Sequence, residues 1–461
     1  MSGFIGRRKE LEALDQWYAG DRFEFVVMYG RRRVGKTALI KQFTEGKRTI
    51  FFTAMRTKGS LNLRLFSEAV NGPAGADGGM QYFDKLFATI SGRADERLVL
   101  VIDEFPYFAE SNDDILSALQ IFIDHTAQRT KLFLILCGSS MSFMKRQVLG
   151  YESPLYGRRT REMHIRPMNF MESAEFLPER NSYEKACVYG AVGGIPMYLN
   201  RFSGKENIFR IMAKEFFTDG SVMSSEPESL ILQELLDPKK YSGIIEAIAA
   251  GSSRLSDISD RSGIAASETS KCLDDLIDLG YVEKVLPLNE KSVRRSRYYL
   301  SDNLFRFFYD FVVGQKQTVS GSSAEETSKN LELKFPDHMG RIFETMCSQY
   351  IVERMGYPLI GKWWGPISKK ETAEIDVIGS VGREGRAEGL FAECKFTKRK
   401  ADTDVLEELK EKADHVRGFN VKRYAIFSRS GFTDRLEERA ETEGVTLVDL
   451  DMMFGHTQKQ N

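Results

Sequence analysis

Several things are scarce in this chain, and each scarcity narrows what it can be. No stretch approaches the ~18 uninterrupted apolar residues that a membrane span requires, so no membrane partner is expected. The opening Met-Ser-Gly-Phe-Ile-Gly-Arg-Arg lacks a signal-peptide core. Cysteines number only five in 461 residues (Cys137, Cys187, Cys272, Cys347 and Cys394), scattered and without CxxC spacing. That argues against a disulfide frame or a cysteine metal site and predicts reduced thiols in a cytoplasmic protein. The formal net charge is −1, so any grip on nucleic acid has to come from local basic patches. No internal repeat with a period of 20 to 50 residues is visible.

What is present is ordinary for a large globular protein, with 42% hydrophobic and 28% charged residues. The length exceeds what one core supports, which predicts three or more domains.

The most specific motif is Gly30-Arg-Arg-Arg-Val-Gly-Lys-Thr37, a complete P-loop. The apolar run Phe25–Tyr29 precedes it and a helix-like run, Ala38–Phe43, follows, which is the strand–turn–helix context the motif needs. Gly30 and Gly35 let the backbone curl so that successive N–H groups point at phosphate oxygens. Lys36 is placed for the β- and γ-phosphates, and the Thr37 hydroxyl for Mg²⁺. The expected nucleotide-binding set is Gly30, Arg31, Arg32, Arg33, Val34, Gly35, Lys36, Thr37, Ala38 and Asp103. Its three arginines could face phosphate, a partner or nucleic acid, and none has an individual role.

Leu98–Ile102 is a continuous apolar run, as in a strand buried on both faces of a parallel sheet, and it ends in Asp103-Glu104. Asp103 is the expected metal-binding carboxylate and Glu104 the residue that polarises the attacking water. Leu132–Ser140 is a further strand ending in hydroxyls. Ser139 or Ser140 is either a γ-phosphate sensor or an ordinary polar residue at a strand end. Arg158 and Arg159 are candidates for neutralising transition-state charge, across a subunit boundary if the chain forms a homo-oligomer, or are solvated arginines of a basic loop.

Farther along, Gly72–Gly79 reads as a glycine-rich surface loop, and residues 165–220 lose the strand signal in favour of helix. From Tyr241 the order becomes helix (Ile244–Ala250), helix (Leu255–Gly263), helix (Ser267–Leu279), strand (Tyr281–Leu286), basic loop and strand (Arg297–Leu300). That order resembles a winged helix-turn-helix. Lys291, Arg294, Arg295 and Arg297 on the wing suit phosphate contacts with DNA. Asp274, Asp275 and Asp278 on the third helix oppose that role and leave a protein-interaction or positioning module open. A polar stretch, Gln315–Ser328, reads as a linker.

The last part holds a second constellation. Glu344 lies on an amphipathic helix, Asp376 on the strand Ala373–Gly379, and Glu393 and Lys395 on one face of the strand Leu390–Phe396. Asp followed by Glu-x-Lys on the next strand resembles the PD-(D/E)XK nuclease superfamily, with Ile375 where the literal motif has proline. In that reading Asp376, Glu393 and Glu344 are oxygen ligands for Mg²⁺, and Lys395 assists hydroxide formation and stabilises charge on phosphorus. The bland alternative is a solvated strand face with one salt bridge.

Together, Phe4–Leu14, Tyr29–Thr37, Val101–Phe105 and Gly193–Leu199 resemble the prokaryotic, largely archaeal, ATPases placed in the AAA+/STAND part of the P-loop class. The resemblance implies that the opening segment packs near the adenine and that Gly194-Ile-Pro196 belongs to a lid. No second sensor arginine is evident beside that signature. It also implies a winged helix and a nuclease-like C-terminal domain. The expected architecture is α/β multidomain: a P-loop αβα ATPase core at 1–160, a helical lid at 161–225 and a winged helix-turn-helix at 226–314. A linker at 315–330 then leads to a restriction-endonuclease-like α/β domain at 331–461. The expected catalytic residues are Glu104, Glu344, Asp376, Glu393 and Lys395, and the expected metal ligands Thr37, Asp103, Glu344, Asp376 and Glu393. Two functions fit: an ATP-hydrolysing, Mg²⁺-dependent nuclease acting on DNA, or a nucleotide-switched STAND-type regulator that binds nucleic acid or protein without cutting.

Overall fold

The computed structural model describes residues 3–72, 83–218, 220–235, 237–288, 295–313, 323–368, 370–382 and 387–455. They fall into two compact units, Met1–Met168 with Ile195–Met197, and Asn169–Gly194 with Tyr198–Asn461.

The first unit is built on five parallel strands: β1 (Glu24–Tyr29), β2 (Thr49–Thr53), β3 (Leu98–Asp103), β4 (Leu132–Gly138) and β5 (Arg161–His164), in the order β2-β3-β4-β1-β5. Every residue of β1, β3 and β4 is buried. Continuous apolar strands of this kind need cover on both faces. The helix Ile115–His125 buries Ile115, Leu119, Phe122 and Ile123, one stripe of a 3.6-residue period. Two separate aromatic clusters hold helices to the sheet, Tyr18–Phe43–Phe133 and Phe52–Phe66–Phe108.

The expected boundary at residue 160 is corrected here. β5 begins at Arg161 and pairs with β1, from Val26↔Arg161 to Tyr29↔His164. The ATPase sheet therefore continues past it. Most of the Gly72–Gly79 loop lies outside the described residues.

In the second unit the helices expected as a lid are not a body of their own. Ser182–Val192, with a capping box between Asn181 and Glu184, and Ile208–Phe217, capped by Asn207, share a core with later helices. Phe216 meets Phe307 at 4.5 Å, and Phe209 meets Phe335 at 5.4 Å, between ring centroids. Buried His338 joins the same core, with Nδ1 2.6 Å from Asp310 and Nε2 3.1 Å from the Gly190 carbonyl.

Pro238–Ala249, Leu255–Ser262 and Ala266–Asp278 are the three helices of the helix-turn-helix, followed by the antiparallel pair β6 (Val282–Val285) and β7 (Arg297–Leu300). Lys291 and Arg294 lie outside the described residues. So do residues 315–322 of the expected linker. Its end is corrected: the helix Ala324–Arg354 starts inside it, capped by Ser323 and anchored by buried Leu331 and Phe335.

The C-terminal sheet is mixed: β8 (Leu359–Pro366), β9 (Thr372–Val381), β10 (Ala387–Lys395), β11 (Phe419–Ser428) and β12 (Thr446–Asp449), in spatial sequence. β8, β9 and β10 are antiparallel neighbours, whereas β10, β11 and β12 are parallel. Among the described residues no helix is long and apolar enough to cross a membrane.

Candidate nucleotide site and C-terminal carboxylate cluster

The P-loop joins the tip of β1 to the helix Lys36–Thr44. A side chain at Gly30 would begin 2.2 Å from the Ile165 carbonyl oxygen, so only glycine fits there. Gly35 has φ +93°, a left-handed conformation that an L side chain resists. Lys36 is buried, and its ammonium donates to the Gly30 carbonyl at 2.7 Å and the Arg31 carbonyl at 3.0 Å. Thr37 Oγ1 donates to Asp103 Oδ2 at 2.8 Å. That brings together the hydroxyl and carboxylate expected to hold Mg²⁺ from two separate sequence segments, a donor pair that suits a hard cation.

Glu104 has φ +50°, and its carboxylate accepts from Ser139 Oγ at 2.7 Å and Ser139 N at 3.3 Å. Ser139 is therefore the hydroxyl that reaches into the site. The non-glycine residues at positive φ among those described are Arg7, Arg33 and Glu104, and all belong to this unit. Such conformations cost of order 1–3 kcal/mol each and cluster at functional sites.

Arg7 is a site residue that sequence reasoning missed. It is 3% exposed and donates to the Val34 carbonyl at 3.0 Å, the Arg166 carbonyl at 2.6 Å and Glu10 at 2.9 Å. One guanidinium thus ties the P-loop to the segment after β5. Arg32 donates to the Tyr107 hydroxyl at 2.5 Å. Ile195–Met197 belongs to this unit, and Pro196 lies 3.8 Å from where a Gly35 side chain would begin. Arg158 is held by Asp124 at 2.8 and 2.7 Å, and Arg159 by Glu162 at 2.9 Å. Both are engaged within the chain.

In the C-terminal sheet the Asp376 carboxylate accepts from the Cys394 backbone N–H at 2.9 Å, linking β9 to β10. Burial, and then the Glu393 and Glu344 carboxylates, push Asp376 up to about 7, against the pull of that N–H and of Lys395. Glu393 is 4% exposed and is gripped by Lys395 at 2.8 Å and by Lys412, from the helix Thr403–Asp414, at 3.3 Å. Burial would lower Lys395, but contact with Glu393 carries it above its ordinary value. Glu344 is ion-paired with Lys362 of β8. The four expected residues therefore lie in one neighbourhood, but they are not assembled as a metal shell. Among the described residues no group of three His, Cys, Asp or Glu side chains is arranged to hold a metal ion. Lys362, Lys395 and Lys412 are ion-paired with the carboxylates Glu344 and Glu393 that were expected to be ligands. Lys362 and Lys412 had no motif to announce them.

The two described wing arginines have partners within the chain. Arg295 donates to the Trp364 carbonyl at 3.2 Å, while Arg297 pairs with Glu374 at 3.5 Å and lies 4.5 Å above the Trp364 ring. The Leu288 N–H bonds to the Lys362 carbonyl at 2.7 Å. The wing leans on β8, an edge strand that otherwise has an open side.

This geometry agrees with what the chain resembles. Residues 4–202 match a family described as an ATPase domain predominantly from Archaea, residues 241–286 the IclR helix-turn-helix domain, and residues 308–407 a family of archaeal and bacterial proteins of unknown function. The chain thus carries an archaeal-type P-loop ATPase domain and a helix-turn-helix domain. An uncharacterized protein of Methanocaldococcus jannaschii is 29% identical over 410 residues, 87% of this chain and 89% of that one. An uncharacterized ATP-binding protein of the same organism is 47% identical over 45 residues, 10% of this chain and 76% of its own. In fold, the Walker-type ATPase of Pyrococcus abyssi is similar with a TM-score of 0.50 and 19% identity, over 67% of this chain and 96% of that one.

Proposed function

We propose that the chain binds ATP with Mg²⁺, hydrolyses it, and couples that cycle to a Mg²⁺-dependent phosphodiester-cleaving site on DNA in its C-terminal sheet. In the nucleotide site, Lys36 exchanges its loop carbonyls for phosphate oxygens, and Thr37 and Asp103 turn from each other toward Mg²⁺, which would neutralise phosphate charge. Glu104 orients the attacking water, and Ser139 sets the position of its carboxylate.

The nuclease part rests on one observation: Asp376, Glu393 and Lys395 converge at the β9–β10 junction, where burial and then the Glu393 and Glu344 carboxylates raise Asp376 to about 7. Strongly perturbed carboxyls beside a lysine are costly to keep, and they concentrate at functional sites. Asp376 and Glu393 would be the metal's oxygen ligands there, with Glu344 within reach once it leaves Lys362. The test is plasmid and oligonucleotide cleavage with Mg²⁺ or Mn²⁺. Wild-type protein should cut, and Asp376→Ala and Lys395→Ala should each abolish cutting while ATP turnover stays largely intact. ATP turnover with no cutting under any metal sinks the nuclease.

The second reading is a STAND-type nucleotide-switched regulator. Its support is the saturation of Glu344 and Glu393 by lysines, which gives the cluster a structural use without metal. Under it, Asp376→Ala and Lys395→Ala change only the stability of the C-terminal sheet.

A further inference from the structure

Between the wing and the C-terminal sheet lies a cleft of about 220 Å³, lined by Leu288, Arg295, Trp363, Trp364, His415 and Arg417 among others. Two indoles and three basic side chains share it, and among the described residues no carboxylate lines it. A larger cleft, about 520 Å³ at Lys400 and Arg429, is also lined by Glu437, Asp449 and Asp451, so its charge selects no anion. The smaller one combines aromatic faces with positive charge, the pairing by which proteins hold unpaired nucleotides. Its volume falls below the ~300 Å³ at which pockets for drug-sized ligands begin, which suits one base and its phosphate.

Position strengthens the case. Trp364 pairs with Glu374 across β8 and β9, and Glu374 is two residues, about 7 Å along a strand, from Asp376. Arg295 is held over the cleft by its bond to the Trp364 carbonyl, and exposed Arg417 and His415 close it from the segment after the helix Thr403–Asp414.

We propose that this cleft takes one unpaired nucleotide of a single-stranded nucleic acid, with the base against Trp363 and a phosphate between Arg295 and Arg417. The proposal rests on the reading that this half of the chain acts on nucleic acid, not on cleavage itself.

The test uses the full chain carrying Trp17→Phe, which leaves Trp363 and Trp364 as its only indoles. A fifteen-residue oligo-dT should quench their fluorescence saturably. Trp363→Leu should weaken its binding about tenfold or more, and Arg417→Ala should weaken it and lower the salt slope by about one. If circular dichroism shows Trp363→Leu misfolded, the exposed Arg417 decides. Unchanged oligo-dT affinity in Arg417→Ala overturns the cleft. So does duplex binding with no quenching, while quenching by free dTMP as tight as by the oligonucleotide overturns the strand as occupant in favour of a mononucleotide. Metal-dependent cleavage untouched by Arg417→Ala would leave the nuclease standing without the cleft. Cleft binding without cleavage would leave the cleft and remove the nuclease.

Discussion

Ser139, at the end of β4, donates its hydroxyl to the Glu104 carboxylate at the end of β3 across 2.7 Å. Adjacent strands of a parallel sheet put their carboxyl ends side by side, which is where ligands bind in open α/β sheets. The bond fixes an acid that stands on a strained backbone, so the position of Glu104 depends on a neighbouring strand as much as on its own.

Two substitutions separate these roles. Glu104→Gln keeps the shape and the hydrogen bond but loses the charge that orients water. It should bind ATP as tightly as wild type and lose about a hundredfold or more in kcat. Ser139→Ala should lower kcat several-fold with little change in KM, because the carboxylate keeps its charge and loses its holder. Steady-state ATPase assays with a separate nucleotide-binding measurement check both. Wild-type turnover by Glu104→Gln would remove Glu104 from its role.

Arg7 should act through the P-loop backbone. Removing it leaves the Val34 and Arg166 carbonyls without their donor, at about 1–3 kcal/mol for such a buried loss. Arg7→Ala should therefore lower the melting temperature and raise the KM for ATP. Arg7→Lys should rescue little, since an ammonium cannot span two carbonyls and Glu10 as a planar fork does. Full recovery of ATP affinity in Arg7→Lys would show that only its charge matters.

Much of this was legible in the chain because it is local. β1, β3 and β4 are continuous apolar runs, which only a sheet covered on both faces accommodates, and the P-loop glycines announce a backbone no other residue adopts. β5 was illegible for the converse reason: Arg-Glu-Met-His is short and charged, and it becomes a strand by pairing with β1. The first turns after Ser323 are polar enough to read as linker, and only buried Leu331 and Phe335 show that the helix has begun. Lys362 and Lys412 are common residues on unremarked segments, and Arg7 sits in Phe4–Leu14 with no role of its own to mark it. Their partners are set by tertiary packing, which no spacing rule encodes.

Arg158 and Arg159 carry a negative forecast. Each is engaged by a carboxylate of its own chain, Asp124 and Glu162. ATP turnover per chain should then be independent of protein concentration, and Arg158→Ala should cost about 0–1 kcal/mol of stability with kcat nearly unchanged. A specific activity that rises with concentration, lost in Arg158→Ala or Arg159→Ala, would restore a finger acting between subunits.

Asp376 gives the C-terminal sheet a pH dependence of definite sign. Its folded-state value, about 7, is above the ~3.9 of an unfolded aspartate. Between those values the folded state binds the extra proton, so metal-free stability falls as pH rises from about 4 through 7. Below that window both states are protonated and the penalty vanishes. Asp376→Asn keeps the shape without the titration. In chelator it should melt higher than wild type at pH 8, and the gap should close toward pH 5. Mg²⁺ should reverse the order at pH 8 by stabilising only the wild type, since a bound cation favours the ionised carboxyl. Differential scanning fluorimetry across pH, with and without Mg²⁺, reads both effects. A gap that is the same at pH 5 and pH 8 would mean that the carboxyl is already ionised in the folded protein and that burial is not what governs it.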